Sequence, residues 1–432
     1  MNLAFYVIIR VMFQRYVQNL LYELMGEFRI VYLTGPRQSG KTTLAKIVAE
    51  MLSIRYVSLD DQAMRAAVEF DPHGFVRSLG EECLVIDEFQ YVPGLVPAIK
   101  ESSDQLATNE RGKFLLTGSA DLFASTRVQE AMPGHLARLE LLPLSVAEIV
   151  GNRRNALDFL LQKRDPYQSE YPELTRIQIA DAIVCGGFPE MIGKSRQIRK
   201  VWFDSYIRGR LLKDFESLYA TRKDCHSNIA ALTPRLSGLS GNLLKYAKIG
   251  RDLDLDDRLV KRYIETLELM FIFQCIPSYA KNRAKRLVVS LPKIFSTDTG
   301  LACALLGIRD GESLLTTNHY GPLLENLVFL ELRKAAVWAK EPISLLHFRD
   351  NRQREVDLVI EKDDGKVIGV EVKASASVSV RDFRGLSALS ELTGERFEQG
   401  ILLYTGHRVL PFRISGRNFL ALPLTAVIPA NN

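Results

Sequence analysis

The stretch Gly35-Pro36-Arg37-Gln38-Ser39-Gly40-Lys41-Thr42 decides how the rest of this sequence is read. It fits the pattern Gly-x-x-x-x-Gly-Lys-Thr in full. It follows an apolar β-rich run, Ile30-Val31-Tyr32-Leu33, and opens a helical stretch from Lys41 to Met51. Each residue type has a chemical reason at its place. Gly35 and Gly40 let the main chain fold around phosphate, and the amides of the loop between them donate to phosphate oxygens. Lys41 is suited to neutralise the β- and γ-phosphates, and the Thr42 hydroxyl to ligate magnesium, with Thr43 beside it on the helix. The loop therefore predicts a nucleoside-triphosphate site with ATP and Mg2+ as cofactors.

Working outward, Cys83-Leu84-Val85-Ile86-Asp87-Glu88 is an apolar strand ending in two carboxylates. In an open parallel sheet that end lies at the edge where the phosphate loop also sits. Asp87 is placed to hold the magnesium shell and Glu88 to polarise the attacking water. The next strand ends at Leu116-Thr117-Gly118-Ser119. The hydroxyls of Thr117 and Ser119 either sense the γ-phosphate or belong to an ordinary Thr-Gly-Ser turn. The apolar runs alternate with helical stretches as far as Val150, which predicts a parallel sheet covered on both faces.

A length of 432 residues sets an expectation of about three domains. The fractions of hydrophobic residues, 47%, and charged residues, 25%, exclude a disordered, collagenous or disulfide-stapled chain. A net charge of +5 permits nucleic acid as a partner without demanding it. The five cysteines are scattered, which predicts reduced thiols and a cytoplasmic protein, and the adjacent Cys225-His226 pair makes no metal motif. No run of eighteen apolar residues occurs, so no membrane span is expected. The apolar start is broken by Arg10 and lacks a cleavage site; Val11 to Met25 reads as a helix packing on the first domain.

Several motifs together carry a resemblance. They are Gly-Pro-Arg-Gln-Ser-Gly-Lys-Thr-Thr, Ile-Asp-Glu-Phe-Gln, Leu-Leu-Thr-Gly-Ser-Ala, Leu141-Leu142-Pro143-Leu144-Ser145, Cys185-Gly186-Gly187-Phe188-Pro189-Glu190, Trp202-Phe203-Asp204-Ser205-Tyr206 and Ser296-Thr297-Asp298-Thr299-Gly300-Leu301. With these the chain, from Gln14 onward, resembles a prokaryotic family of AAA+-like P-loop ATPases. Members carry a C-terminal domain of unknown function similar to restriction endonucleases. The resemblance implies Gly-Arg where this chain has Gly134-His135, and an arginine there can stabilise phosphoryl charge from a neighbouring subunit. His135 does so only when protonated. Arg138 can substitute if the segment shifts, and its alternative reading is a surface charge. Ring-type cooperation between copies, a homo-oligomer, is thereby put in question.

The middle of the chain reads as helical, with a winged-helix module. Ala247 to Leu253 forms a short helix, Asp254 to Asp257 the turn and cap, and Leu259, Val260, Tyr263, Ile264, Leu267 and Met270 the apolar face of the next helix. Arg258, Lys261 and Arg262 lie on its outer face. Lys281, Arg283, Lys285, Arg286 and Lys293 follow as a basic wing suited to a DNA or RNA backbone. Against this, Asp256 and Asp257 sit where such a helix meets bases. A second basic stretch, Lys194 to Lys213, reads as a solvated helix face.

In the last domain Val356 to Glu361 and Val367 to Lys373 are strands joined by a turn at Lys362 to Lys366. A hairpin centred on Asp364 sets Asp357 opposite Glu371, with Glu371 and Lys373 on one face. Two carboxylates and a lysine can bind magnesium through Asp357 and Glu371 and activate water for phosphodiester cleavage. Glu325 shares a helix face with Val328, Phe329 and Leu332, so it is partly buried and needs a partner, which a metal site provides. This set resembles the Asp, Glu-x-Lys core of restriction-like nucleases. The alternative is a wet sheet face.

The expected fold is α/β in five segments: 1–25 a helical extension, 26–150 the AAA+-like ATPase domain, 151–232 helical, 233–293 the winged-helix module and 294–432 the nuclease-like domain. Linkers are expected at Arg164 to Pro172, Thr233 to Gly241 and Ile308 to Thr317. Two functions stay open. One is an ATPase coupled to nucleic-acid processing. The other is a nucleotide-dependent switch or scaffold whose last domain only binds.

Overall fold

The computed structural model describes residues 13–106, 110–119, 134, 136–161, 171–219, 225–280 and 291–430. Its first sheet consists of β1 (Ile30–Thr34), β2 (Arg55–Ser58), β3 (Leu84–Asp87), β4 (Phe114–Gly118) and β5 (Leu136–Glu140), all parallel, in the order β2-β3-β4-β1-β5. The continuous apolar runs are buried on both faces. Val31, Leu33, Val85 and Leu115 pack on the helices Gln18–Glu27 and Lys41–Met51. Their neighbours Ile30, Tyr32, Leu84, Ile86, Phe114 and Leu116 pack on the other side, towards Gln62–Phe70, Pro72–Arg77 and Leu95–Asp104. The N-terminal helix starts at Gln18 and ends at Glu27, later than the expected Val11 to Met25. Val11 and Met12 lie outside the described residues.

The middle is helical and ends in a small antiparallel sheet. Its strands are β6 (Asn242–Leu243), β7 (Phe273–Ile276) and β8 (Lys293–Ser296), in the order β6-β8-β7. Asp256 caps the helix Asp257–Leu269 through the N–H groups of Arg258 and Leu259, at 2.9 and 3.2 Å. Val260, Tyr263, Ile264 and Leu267 face inward as expected, and Arg258, Lys261 and Arg262 are exposed. Two expected linkers are instead structured. Thr233 to Ser237 is the end of the helix Cys225–Ser237, where Leu232 and Leu236 are fully buried. Ile308 to Thr317 contains the helix Gly311–Leu315. In both, tertiary packing overrides a loop-like composition. The third expected linker, Arg164 to Pro172, lies mostly outside the described residues.

The last sheet is mixed: β9 (Ile343–Arg349), β10 (Glu355–Lys362), β11 (Val367–Lys373), β12 (Phe397–Tyr404), β13 (Leu410–Ile414) and β14 (Arg417–Pro423), in the order β13-β14-β12-β11-β10-β9. The turn between β10 and β11 is the expected one, with Gly365 in the left-handed region at φ 81°. One sheet face packs on the helix Tyr320–Val337. The other packs on Arg384–Thr393.

The first core of this last unit also takes in Ala156, Leu157, Leu160, Ile179 and Ile183, from the helices Ala156–Leu161 and Arg176–Cys185. Arg154 donates to the Thr425 carbonyl at 2.8 Å and Asn155 to that of Ala335 at 2.9 Å. The chain is thus mixed α/β: a parallel sheet, a helical middle and a sheet-rich last domain. No helix among the described residues is long and apolar enough to cross a membrane.

Candidate nucleotide site and carboxylate cluster

The phosphate loop leaves β1 at Thr34 and enters the helix at Lys41. Gly35 has φ +147°, and a β-carbon there would lie 2.3 Å from the Leu141 carbonyl oxygen, so only glycine fits. Gly40 caps the helix at φ +101°. Arg15 braces the loop from outside. Its guanidinium donates to the carbonyls of Ser39 and Leu142, each at 2.7 Å, and to Glu148 at 3.0 Å. Nothing in the spacing of the motifs pointed to Arg15.

Lys41 is buried, and its ammonium donates to the carbonyls of Gly35 at 2.9 Å and Pro36 at 2.7 Å. Burial lowers its pKa to about 8; Glu88 opposes the shift and Arg37 adds to it. Asp87 is the hub of the site. The Thr42 hydroxyl lies 3.0 and 3.1 Å from its two oxygens, Tyr56 donates at 2.8 Å, and the Thr117 hydroxyl donates to it as well. Burial, with the hydrogen bond to Asp87, holds the Tyr56 hydroxyl above its usual range. Since β4 lies between β1 and β3, Thr117 reaches Asp87 from the neighbouring strand.

Glu88 follows with a left-handed backbone at φ 56°, and its N–H donates to Thr117 Oγ1 at 3.1 Å. Such a conformation in a non-glycine residue costs about 1–3 kcal/mol and gathers at functional sites. The Gln90 amide donates to the Glu88 carboxylate and, at 3.0 Å, to Ser119 Oγ. Thr117 and Ser119 are therefore bonded to the two acids, one directly and one through Gln90. Arg37 pairs with Asp214, on the helix Leu212–Tyr219, and with the Tyr91 hydroxyl at 3.4 Å. Gln38 and Thr43 are exposed on the loop and helix, and Pro36 is buried. Arg138 is exposed on β5, two residues before Glu140, which pairs with Arg333 at 2.6 Å. His135 lies outside the described residues. Gln90, Tyr56 and Asp214 were missed by the sequence reading; Gln90 lies inside a quoted motif, whereas Tyr56 and Asp214 gave no signal.

In the last domain Asp357 and Glu371 stand one step beyond the paired Leu358 and Val370, so they face each other across β10 and β11. A register shift between Val356 and Val359 on the β9 side re-aims this part of β10. Asp357 Oδ2 accepts from the Val372 N–H at 2.9 Å, and Lys373 donates to Glu371 Oε1 at 2.9 Å. Glu325 is brought to the same place by the helix Tyr320–Val337, as expected, but its partner is Lys293. Lys293 Nζ lies 2.5 Å from Glu325 and 3.3 Å from Asp357. This corrects two expectations. Lys293 is 3% exposed on β8 and is not part of a solvent-facing wing. Lys281, Arg283, Lys285 and Arg286 lie outside the described residues.

Burial, together with Asp357, raises Glu325 well above the usual carboxylate range and Glu371 to about 8, with their lysines pulling the other way. For Lys293 burial works against the charge, and Glu325 and Asp357 outweigh it, holding the ammonium above the ordinary lysine range. Among the described residues no group of three His, Cys, Asp or Glu side chains is arranged to hold a metal ion. The basic stretch Lys194 to Lys213 forms the helix Arg196–Tyr206 and a π turn, Ile207–Leu211; Phe203, Tyr206 and Leu211 are buried and its outer face is wet.

Residues 27–150 match the model of an AAA domain. Residues 176–312 and 320–427 match two domains of unknown function, DUF8612 and DUF4143. Uncharacterized proteins of Mycobacterium bovis and Mycobacterium tuberculosis are each 29% identical over 390 residues, covering 88% of this chain and 78% of the relative. Among solved structures, a Walker-type ATPase of Pyrococcus abyssi is 14% identical with a TM-score of 0.38, covering 68% of this chain and 96% of that one. AMPPCP-bound DnaA from Aquifex aeolicus is 16% identical with a TM-score of 0.29, covering 58% and 86%. The family match and the order of the parallel sheet give residues 27–150 one identity: an AAA-type P-loop ATPase fold.

Proposed function

We propose that the first domain binds ATP with magnesium and hydrolyses it. One observation carries this reading. Asp87 gathers the hydroxyls of Thr42, Thr117 and Tyr56 at the mouth of the phosphate loop, beside Lys41 and Glu88. The donor set fits the cofactor: a hydroxyl and a carboxylate in contact, with Ser39 Oγ buried in the loop without a hydrogen-bond partner. Magnesium, bound with the nucleotide, would be held by Thr42 and Asp87 and would shield the phosphate oxygens. Lys41 binds the β- and γ-phosphates. The loop amides and Gly35 set the backbone close to them. Glu88 takes the proton of the attacking water, Gln90 orients Glu88, and Thr117 and Ser119 report the γ-phosphate. Stimulation by Arg138 or His135 of a second copy remains part of the proposal only for a homo-oligomer.

The remaining segments are read as proposed above: winged-helix-like within 233–293, nuclease-like within 294–432. The small sheet β6-β8-β7 supports the first reading, with its central strand Lys293–Ser296 running past residue 293, and the facing Asp357 and Glu371 support the second. On one view ATP turnover drives nucleic-acid binding or processing. On the other, the chain is a nucleotide-dependent switch whose last domain binds without cutting, and Lys293 among the carboxylates favours this second view. The test is ATP hydrolysis with and without DNA and RNA, in wild type and Glu88→Gln. Stimulation by one nucleic acid supports coupling. Magnesium-dependent cleavage abolished by Glu371→Ala overturns the switch, and hydrolysis in wild type equal to that of Glu88→Gln overturns the first site.

A further inference from the structure

The carboxylate cluster already contains a cation. Lys293 Nζ lies between Glu325 of the helix Tyr320–Val337 and Asp357 of β10, at 2.5 and 3.3 Å. It is supplied by β8, a strand of the middle sheet, so one ammonium joins three separate elements.

The other acceptors are also occupied or covered. Asp357 Oδ2 holds the Val372 N–H, and Glu371 Oε1 holds Lys373. Gly241 packs against Glu325: a β-carbon on it would stand 2.9 Å from Glu325 Oε2. Glu371 Oε2 and Glu325 Oε1 are both buried without a hydrogen-bond partner, and Glu325 Oε1 has Lys293 Nζ at 2.5 Å. A hard divalent cation takes about six oxygen ligands, and even one that keeps several waters needs one or two carboxylates free to face it. It would also have to enter beside a buried ammonium, where like charges repel with little screening. Nor can Lys293 drift away with its backbone, because it pairs with Leu243 on one side and Ile276 on the other.

We infer that Lys293 is the resident cation of this cluster, in the place a divalent ion would otherwise take, and that the cluster is an ionic staple between the middle sheet and the last domain. In this arrangement the three carboxylates bind no divalent ion, and the last domain does not cut phosphodiesters by metal-assisted hydrolysis. The inference is independent of ATP turnover at the first site and bears on the cleavage reading alone.

The test is a titration of the nucleotide-free full chain with Mn2+, following free Mn2+ by electron paramagnetic resonance. Wild type is expected to show no Mn2+ site that depends on Glu371. Lys293→Met is expected to gain one, tighter than any Glu371-dependent site in wild type by about tenfold or more, and to lose it again in Lys293→Met/Glu371→Gln. Since Lys293→Met leaves buried acids without their cation, Lys293→Met/Glu325→Gln removes one charge of each sign and serves as the folded counterpart, checked by circular dichroism. A wild-type Mn2+ site abolished by Glu371→Gln overturns the inference. So does a folded Lys293→Met variant that gains no Mn2+ site over wild type. The wild-type arm decides even where both variants fail to fold.

Discussion

His347 offers a sharp test of the electrostatics around the cluster. Its ring is 2% exposed on β9, with Nε2 at 3.1 Å from the Leu291 carbonyl, to which the neutral ring donates. Burial lowers its pKa to about 4, and the Lys293 and Arg349 cations push the same way, against the Leu291 carbonyl. The Glu325 and Asp357 carboxylates stand behind Lys293. The sign follows from linkage. In the unfolded chain the ring takes a proton near pH 6.5, and in the folded chain it does not until about pH 4. The unfolded state therefore binds more protons in that window, and stability falls as pH drops from 6.5 towards 4. At pH 5 the loss from this one ring is about 2 kcal/mol.

The perturbation is His347→Gln, which keeps a donor for the Leu291 carbonyl and removes the titration. The chain has six histidines, so ring-15N-labelled protein gives a countable set of imidazole signals, and the variant assigns the one that disappears. The His347 signal is expected to stay that of a neutral ring down to about pH 4. Thermal unfolding of wild type is expected to weaken more than that of His347→Gln between pH 7 and pH 5. A His347 ring that protonates near 6.5, or parallel pH slopes for the two proteins, refutes the reasoning.

Three other perturbations probe the first site and the last core. Glu88→Gln is expected to keep nucleotide binding while phosphate release at saturating ATP falls by about 10²–10⁴-fold. Gly35→Ala sets a β-carbon against the Leu141 carbonyl in a backbone that L-residues rarely adopt; a penalty of about 2 kcal/mol or more weakens ATP binding roughly thirtyfold, read by fluorescent-nucleotide titration. Phe329→Ala empties a fully buried site where the ring stacks on Phe295 at 4.2 Å. Its expected cost is about 3–5 kcal/mol in denaturant unfolding of the last domain.

The first domain was legible because its chemistry is local. Glycine needs, a lysine and a hydroxyl lie within eight consecutive residues, and the apolar runs around them are short and continuous, as doubly covered parallel strands are. Asp357 and Glu371 were legible for a similar reason, since a hairpin turn fixes register over a short distance. What escaped is what depends on distant partners. The Thr233 to Gly241 segment has the composition of a loop, and only Leu232 and Leu236 in a buried core make its first part helical. Lys293 stands in a basic run that reads as a surface, and its depth follows from β8 being the central strand of its sheet. Arg37 meets Asp214 across 177 positions, which no spacing rule reaches.

The position of residues 154–161 has a consequence for how the protein is made. The parallel sheet can close as soon as β5 has left the ribosome, because every strand it needs lies before Glu140. Arg154, only fourteen residues later, waits for Thr425, 271 positions further on. Leu157 and Leu160 wait for the helices Arg176–Cys185 and Tyr320–Val337, and until these are made their apolar side chains are available to a chaperone or to the same segment of another nascent chain. Synthesis order therefore sets a checkpoint: a chain stopped before the helix Tyr320–Val337 carries the parallel sheet and an unsatisfied hydrophobic strap.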